Sequence, residues 1–463
     1  MASEQVLGLM KAMEAGNQNA APSTLVQGAA LQIENLSKVM EVVTIDEKSI
    51  KLQKGMEVES CKSTLAQFDR YLSYGILGAS ATIEGAVGQE EDSLVARIVV
   101  PMAYYSHMRK VTDAANMVTT VDGVKAEDRA ARDAAIKLAC DIEFDLFRGK
   151  SDFSNVGVFD GNMAVIPSLP NILGLDSQIR MSDVEPNAQD QMFAEYGTNE
   201  SVVVNVGGTL TQDSIEDAHV KSVIHHGEAE ELYIDPRVAS AYNKIAFGKE
   251  RIIVAGSAQD ATGADLKRQW VSGGTVSLQT SMFLSGKTGP AKARPNGPAA
   301  PTGVAANAGG TTSLAAGVYT YFVTSVNELG ESPISAAIVS AAIALGDQIT
   351  VTITPPGAGV VRYFNVYRTN ANAPAGSAKF VGRVANSGGA TTVFTDLGNR
   401  RPGFVTGFLL QKDSMKIFEL SAYSRKKMGV VDLTTTEAHF RFLTLGCTKP
   451  RFNTLLDNLV GSF

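Results

Sequence analysis

Six residues in one stretch of this 463-residue sequence carry much of its side-chain chemistry: His219, His225, His226, Glu228, Glu230 and Glu231. His219 and His226 fall two helical turns apart, so on a helix they share a face. Two imidazoles beside carboxylates are metal-binding types. The competing reading, and the favoured one, is a solvated helix end, where histidine suits the C-terminal dipole. Asp213, Glu216 and Asp217 fall in the first turn of the same helix, where acids are stabilising without any chemical role. Residues 284–289, LSGKTG, contain the Gly-Lys-Thr triplet of a phosphate loop. That loop also needs a glycine five positions before Gly286, where Ser281 stands, and a following helix, where Pro290 stands. No GxSxG, HExxH or GxGxxG is present. Cys61, Cys140 and Cys447 are far apart, odd in number and form no CxxC, so they read as small apolar residues. The expectation is no catalytic, cofactor or metal site, and no enzyme.

The remaining reactive groups are charges. Arg425–Lys426–Lys427 and Arg400–Arg401 are the basic clusters, and Glu90, Glu91 and Asp92 form an acidic one. Only Tyr423 interleaves with the basic run, so a base-stacking platform is not expected. The basic groups read as solvated turns, or as contacts to a phosphate backbone or an acidic neighbour. Lys plus Arg number 41 against 48 Asp plus Glu, a net charge of -7, which excludes a broadly basic nucleic-acid binder. No apolar run approaches the roughly 18–20 residues of a membrane helix, so no membrane partner is expected. Glu4 stands where a signal peptide carries positive charge, which points to synthesis in the cytoplasm.

Several elements must position these groups. Residues 1–66 read as a polar arm with two short apolar helical stripes, Val6–Met13 and Leu31–Met40. Residues 67–108 read as an extended two-stranded excursion with glycines 75, 78, 85 and 88 and the acidic tip at 90–92. Two strands alone are marginal in water, so this excursion needs a partner surface. Residues 109–160 contain the clearest helix, over 123–148. Its stripe is Ala131, Ala135, Leu138, Ile142 and Leu146, and Gly149 ends it. Residues 161–292 alternate helix and strand. Thr211 caps one helix, ELYID reads as a strand, Pro236 opens another helix, and RIIVAG is a further strand. Residues 293–403 begin with a Pro/Gly/Ala linker, KARPNGPAAPTGVAANAGG. Five strand-like runs follow, the pattern of a β-sandwich. Residues 404–463 return to a charged α/β composition, so the sandwich reads as an insertion into a host domain.

The order of these elements resembles the major capsid proteins of tailed bacteriophages, the Hong Kong 97-like fold. The resemblance rests on QFDRYLSYG (67–75) leading into the excursion and on the strand LVARIVVPMAYYSHMRKV. It rests also on the helix ending in FRGKS, and on LTQDSIEDAHVKSVIHHG followed by ELYIDPRVASAY. The inserted run GVYTYFVTSVNELGESPIS and RYFNVYRT are similar to strands of fibronectin-type III and related immunoglobulin-like domains, though in reversed order.

The resemblance implies an α+β fold with an N-terminal arm, an extended E-loop, a peripheral domain with a spine helix, and an axial domain. An all-β immunoglobulin-like sandwich is inserted on the outer face. It implies a structural subunit of the virion that assembles with itself into hexamers and pentamers around double-stranded DNA, which it touches without sequence preference. Portal, scaffold and a cement or decoration protein are the further partners implied. The arm is expected to stay on the chain through maturation. Isopeptide crosslinking through the loop is not expected, because residues 75–96 contain no lysine. Glu90, Glu91 and Asp92 are expected to meet Arg425, Lys426 and Lys427 of a neighbouring copy. A tail tube or sheath protein and a carbohydrate-binding surface adhesin are the alternatives.

Overall fold

The structure is a computed structural model, and it describes residues 47–73, 81–88, 92–117, 124–149, 172–184, 201–246, 267–285, 297–310, 312–327, 330–357, 361, 363–398, 400–429 and 433–460. The two helical stripes of the arm, Gly75, Gly78, Glu90, Glu91 and RIIVAG lie outside the described residues.

A single helical turn, α1 (Leu52–Gly55), leads to the short strand β1 (Glu57–Ser60). β2 (Leu65–Ser73) and β3 (Leu94–Pro101) form an antiparallel ladder, with Phe68 opposite Ile98 and Tyr71 opposite Val95; the run read as one strand over 94–111 is corrected, since it breaks at Met102 and its second half joins another sheet. β4 (Ala103–Thr112) continues through the short helix α2 (Asp113–Met117) towards the long helix α3 (Ala126–Arg148). At 23 residues, α3 is about 35 Å long at 1.5 Å per residue. Leu138, Ile142 and Leu146 of the predicted stripe are buried, and Ala134 and Phe147 extend that face.

Gly149 ends α3 by a different mechanism from the left-handed cap that glycine usually supplies. Its φ is -56°, and its N–H bonds the Asp145 carbonyl. A Cβ at this position would lie 2.1 Å from the Ile172 carbonyl oxygen, so close backbone approach is what requires glycine.

The next segment supplies α4 (Leu175–Val184), β5 (Val203–Asn205), α5 (Gln212–Ile224), β6 (Glu231–Ile234), α6 (Pro236–Ala246), β7 (Arg268–Val271) and β8 (Gly274–Thr280). Thr211 caps α5 as expected. Its Oγ1 accepts from the Ser214 N–H at 3.2 Å, and the Ser214 hydroxyl accepts from the Thr211 N–H at 3.1 Å.

The sandwich follows, with β9 (Thr302–Asn307), β10 (Thr320–Asn327), β11 (Gly330–Glu331), β12 (Ile338–Val339), β13 (Ile349–Thr354), β14 (Tyr363–Arg368), β15 (Lys379–Ala385) and β16 (Thr392–Asp396). All five strand-like runs read from the sequence are present. The linker reading needs correction over 302–307. That stretch is β9, paired along its length with β13, because the β13 edge supplies the hydrogen bonds that its Gly/Ala-rich composition did not advertise. One sheet runs β11-β10-β14-β15, with β12 beside β10, and the other β16-β13-β9. Tyr321, Val323, Val351, Ile353, Phe364 and Val366 fill the space between them as a separate core.

β17 (Val405–Leu410), β18 (Met415–Lys427), β19 (Thr434–Cys447) and β20 (Thr454–Leu459) complete the chain. Among the described residues this return holds strands and 3-10 turns but no α-helix. Its strands close two sheets opened much earlier. β17 and β20 enter a six-stranded sheet of order β5-β20-β17-β6-β8-β7, and β18 and β19 sit between β1 and β4. Segments before β9 and after β16 therefore share sheets. The main core lies where α3 crosses these sheets. Phe147 packs 5.7 Å from the Tyr233 ring and 5.4 Å from Phe408. Each fully buried side chain of this size contributes about 1.5–3 kcal/mol.

Candidate assembly surfaces

The β2–β3 ladder has two unlike faces. Ala66, Phe68, Arg70, Ile98 and Val100 point towards the body of the chain. Phe68 stacks on Phe418 at 5.7 Å, and Arg70 donates to the Cys447 carbonyl at 2.6 Å. The opposite face carries Leu65, Tyr71, Val95 and Val99, all exposed, with the Arg97–Asp69 ion pair at 2.8 Å crossing the strands. Towards the tip, Ile83 is 84% exposed and Val87 95%. Gly85, with φ +86°, makes the turn there, and the Ala86 N–H bonds the Ile83 carbonyl at 2.9 Å. Asp92 is exposed and makes no ion pair among the described residues.

The basic run lies at the far end of the β18–β19 hairpin. Arg425 is held within its own chain: Nε donates to Glu437 Oε2 at 2.6 Å and Nη2 to Glu127 Oε1 at 2.6 Å. Lys427 also pairs with Glu127. The Lys427 and Arg425 contacts hold the Glu127 carboxyl below its ordinary range, while the Glu437 contact raises Arg425. Glu127 stands in the first turn of α3, so the cluster ties the hairpin to the helix N-terminus. The structure thus brings Arg425 and Lys427 together with internal acids. Lys426 is exposed, and no ion pair to it occurs among the described residues. Tyr423 stacks on His439 at 6.1 Å and their polar atoms meet at 2.9 Å. Of the other basic pair, Arg400 lies over the Phe404 ring at 4.5 Å and the Arg401 N–H donates to Asn458.

The histidine cluster departs from the sequence reading. His219 and His225 are buried, whereas Val223 and His226 at the end of α5 are exposed. Gly227 lies so close to the turn at Pro450–Phe452 that a Cβ would meet Phe452 Cα at 2.8 Å. His226 takes the left-handed conformation, φ +66°, where the helix ends. Glu231 is occupied by Tyr233 at 2.7 Å and Lys412 at 2.6 Å, and Glu216 by Ser272. Among the described residues no three His, Cys, Asp or Glu side chains gather as a metal set. Cys61, Cys140 and Cys447 are free thiols.

Two acids on α3 were not singled out by their sequence positions. Glu143 is fully buried and accepts the backbone N–H groups of Lys51, Leu52 and Gln53 at 3.0, 2.7 and 2.9 Å. Burial raises its carboxyl, and these bonds oppose the shift. It anchors α1, and with it the start of β1, to the long helix. Asp145 accepts from the Tyr105 hydroxyl at 2.7 Å, and burial pushes its carboxyl up to about 6. The sequence signal was an acid beside each of Ile142 and Leu146, at the margin of the apolar stripe.

No protein-family model matches the chain, and no curated protein matches it. Among solved structures, the chain is similar to the capsid of a native GTA particle. The identity is 11% and the TM-score 0.48, over 96% of this chain and 100% of that one. It is similar to the capsid of Myoviridae phage XM1 at 7% identity and TM-score 0.43, over 92% of this chain and 97% of that one. It is similar to the capsid of cyanophage P-SCSP1u at 10% identity and TM-score 0.41, over 96% of this chain and 100% of that one.

Proposed function

We propose that this chain is a structural shell subunit, the major capsid protein of a tailed bacteriophage with a Hong Kong 97-like fold. It assembles with itself into the hexamers and pentamers of an icosahedral shell around double-stranded DNA. The observation that carries the reading is the β2–β3 ladder. Its inner face is anchored on the body by Phe68 and Arg70, while Tyr71, Val95, Val99, Ile83 and Val87 are exposed among the described residues. A two-stranded ribbon with two open edges is marginal in water unless another surface pairs with it or covers it. A neighbouring copy supplies that surface in a head-to-tail contact, and head-to-tail contacts close into rings when the rotation allows. The sandwich, inserted between β8 and β17 with its own core, is displayed outside the shell without interrupting the host sheets. Asp92, with Glu90 and Glu91, faces Lys426 of the neighbour.

The test is substitution on the outer ladder face. Tyr71→Asp with Val99→Asp is expected to leave urea unfolding of the monomer unchanged and to abolish assembled species in light scattering. Normal assembly by this variant would reject the ladder as the inter-subunit contact.

A further inference from the structure

The joint between the sandwich and the host encloses a cavity of about 270 Å³. Phe144, Arg148, Asp176 and Phe408 line it from the host, and Phe380, Arg383, Phe394 and Asp396 from the sandwich; Arg400 and Phe404 come from the segment joining them. Its charges are unbalanced. Asp176 is already paired with Arg180 at 2.8 Å, and Asp396 with Arg368 and the Tyr321 hydroxyl. The three arginines on the wall are held by neutral groups instead. Arg148 donates to the Leu284 and Ser285 carbonyls. Arg383 donates to Asn365 at 3.1 Å and lies 3.9 Å over the Tyr363 ring, and Arg400 lies over Phe404. None of the three has a carboxylate within ion-pair distance among the described residues. Burial pushes Arg148 down to about 10, and the charges of Asp176 and Asp235 oppose that shift.

Three guanidiniums fixed by carbonyls, an amide and ring faces form a positive site prepared in advance. Guanidinium matches the oxygens of phosphate in paired hydrogen bonds. The phenylalanine walls lower the local dielectric and strengthen that attraction. The cavity is close to the lower end of small-molecule sites, about 300–1,000 Å³, so it suits a small anion and not a polymer. We propose that this joint is a binding site for a small phosphate compound, its phosphate on Arg148, Arg383 and Arg400. Occupancy there bridges the sandwich to the host and holds the two together.

Calorimetric titration of the purified full-length chain with pyrophosphate and with adenosine monophosphate tests this at low salt. Saturable binding of at least one, with one site per chain, is expected. Preference for pyrophosphate identifies an inorganic source, and preference for the nucleotide an organic one held against Phe380 and Phe394. Arg383→Gln and Arg400→Gln are each expected to weaken binding about tenfold or more, the worth of a charge-assisted hydrogen bond. Urea midpoints of the unliganded variants identify any that misfold, and Arg400→Lys, which keeps the charge but loses the fork, then serves as the second variant. Absence of binding by both compounds at millimolar concentration would overturn the proposal. So would affinity unchanged in a folded Arg383→Gln/Arg400→Gln variant.

Discussion

Replacing Glu143 by alanine tests how the N-terminal segment is fastened to the long helix. The carboxylate takes the N–H groups of Lys51 and Leu52 on Oε1 and that of Gln53 on Oε2. Leu52 is 1% exposed, so its N–H has no route to water when the acceptor is removed. An orphaned buried donor costs about 1–3 kcal/mol. The one lost side-chain methylene adds roughly 0.8 kcal/mol. Lys51 and Gln53 are only part-buried and turn to solvent at small cost. Glu143→Ala should therefore destabilise the chain by about 2–4 kcal/mol. Glu143→Gln keeps the volume and one oxygen that accepts from both Lys51 and Leu52. Only the Gln53 bond is lost, so the expected cost is about 1–2 kcal/mol. Urea unfolding followed by circular dichroism gives both values, and limited proteolysis near residues 47–60 reports release of the segment. Equal losses for Ala and Gln, or none for Ala, would refute the hydrogen-bond argument.

Other perturbations follow from the same structure. Gly149→Ala puts a Cβ against the Ile172 and Asp145 carbonyl oxygens at 2.1 and 2.5 Å, and backbone cannot yield as a side chain tip can; a loss of about 3 kcal/mol or more, or insoluble protein, is expected in expression and melting assays. Asp145 has a folded pKa of about 6 against an ordinary 3.8. Its contribution is therefore full below pH 4 and lost as pH rises through 6, by roughly 3 kcal/mol at 1.36 kcal/mol per unit. Asp145→Asn should remove that component from the urea stability measured between pH 4 and 6.5, and an unchanged profile would disprove the assignment. Arg425→Ala leaves Glu437, 3% exposed, beside fewer cations, so a loss of about 1–3 kcal/mol in urea unfolding is expected, with the β18–β19 hairpin exchanging its amide hydrogens faster. Deleting residues 297–401 should leave a soluble host whose six-stranded sheet is intact by circular dichroism, and loss of all soluble protein would count against a self-contained insertion.

The sequence made the elements with strong local signals readable. The 3.6-residue stripe of Leu138, Ile142 and Leu146 marked α3, Thr211 marked the start of α5, and β-branched runs marked five sandwich strands. Pairings set by distant residues were hidden. β9 has a linker's composition and is a strand because β13 lies beside it. Arg425 looked free in sequence, yet its partner Glu127 lies 298 residues away. Glu143 reads as one more helix acid until the backbone of Leu52, 91 residues earlier, is placed against it. The burial of His219 was hidden because Gly273, which lies against its ring, is 54 residues away in sequence.

Electron microscopy of the purified full-length chain, with light scattering for mass, tests the shell-subunit account most directly. Closed shells, or rings of five and six copies, are the expected result, and they should disappear in the Tyr71→Asp/Val99→Asp variant. A folded chain that stays monomeric at every concentration would contradict the account.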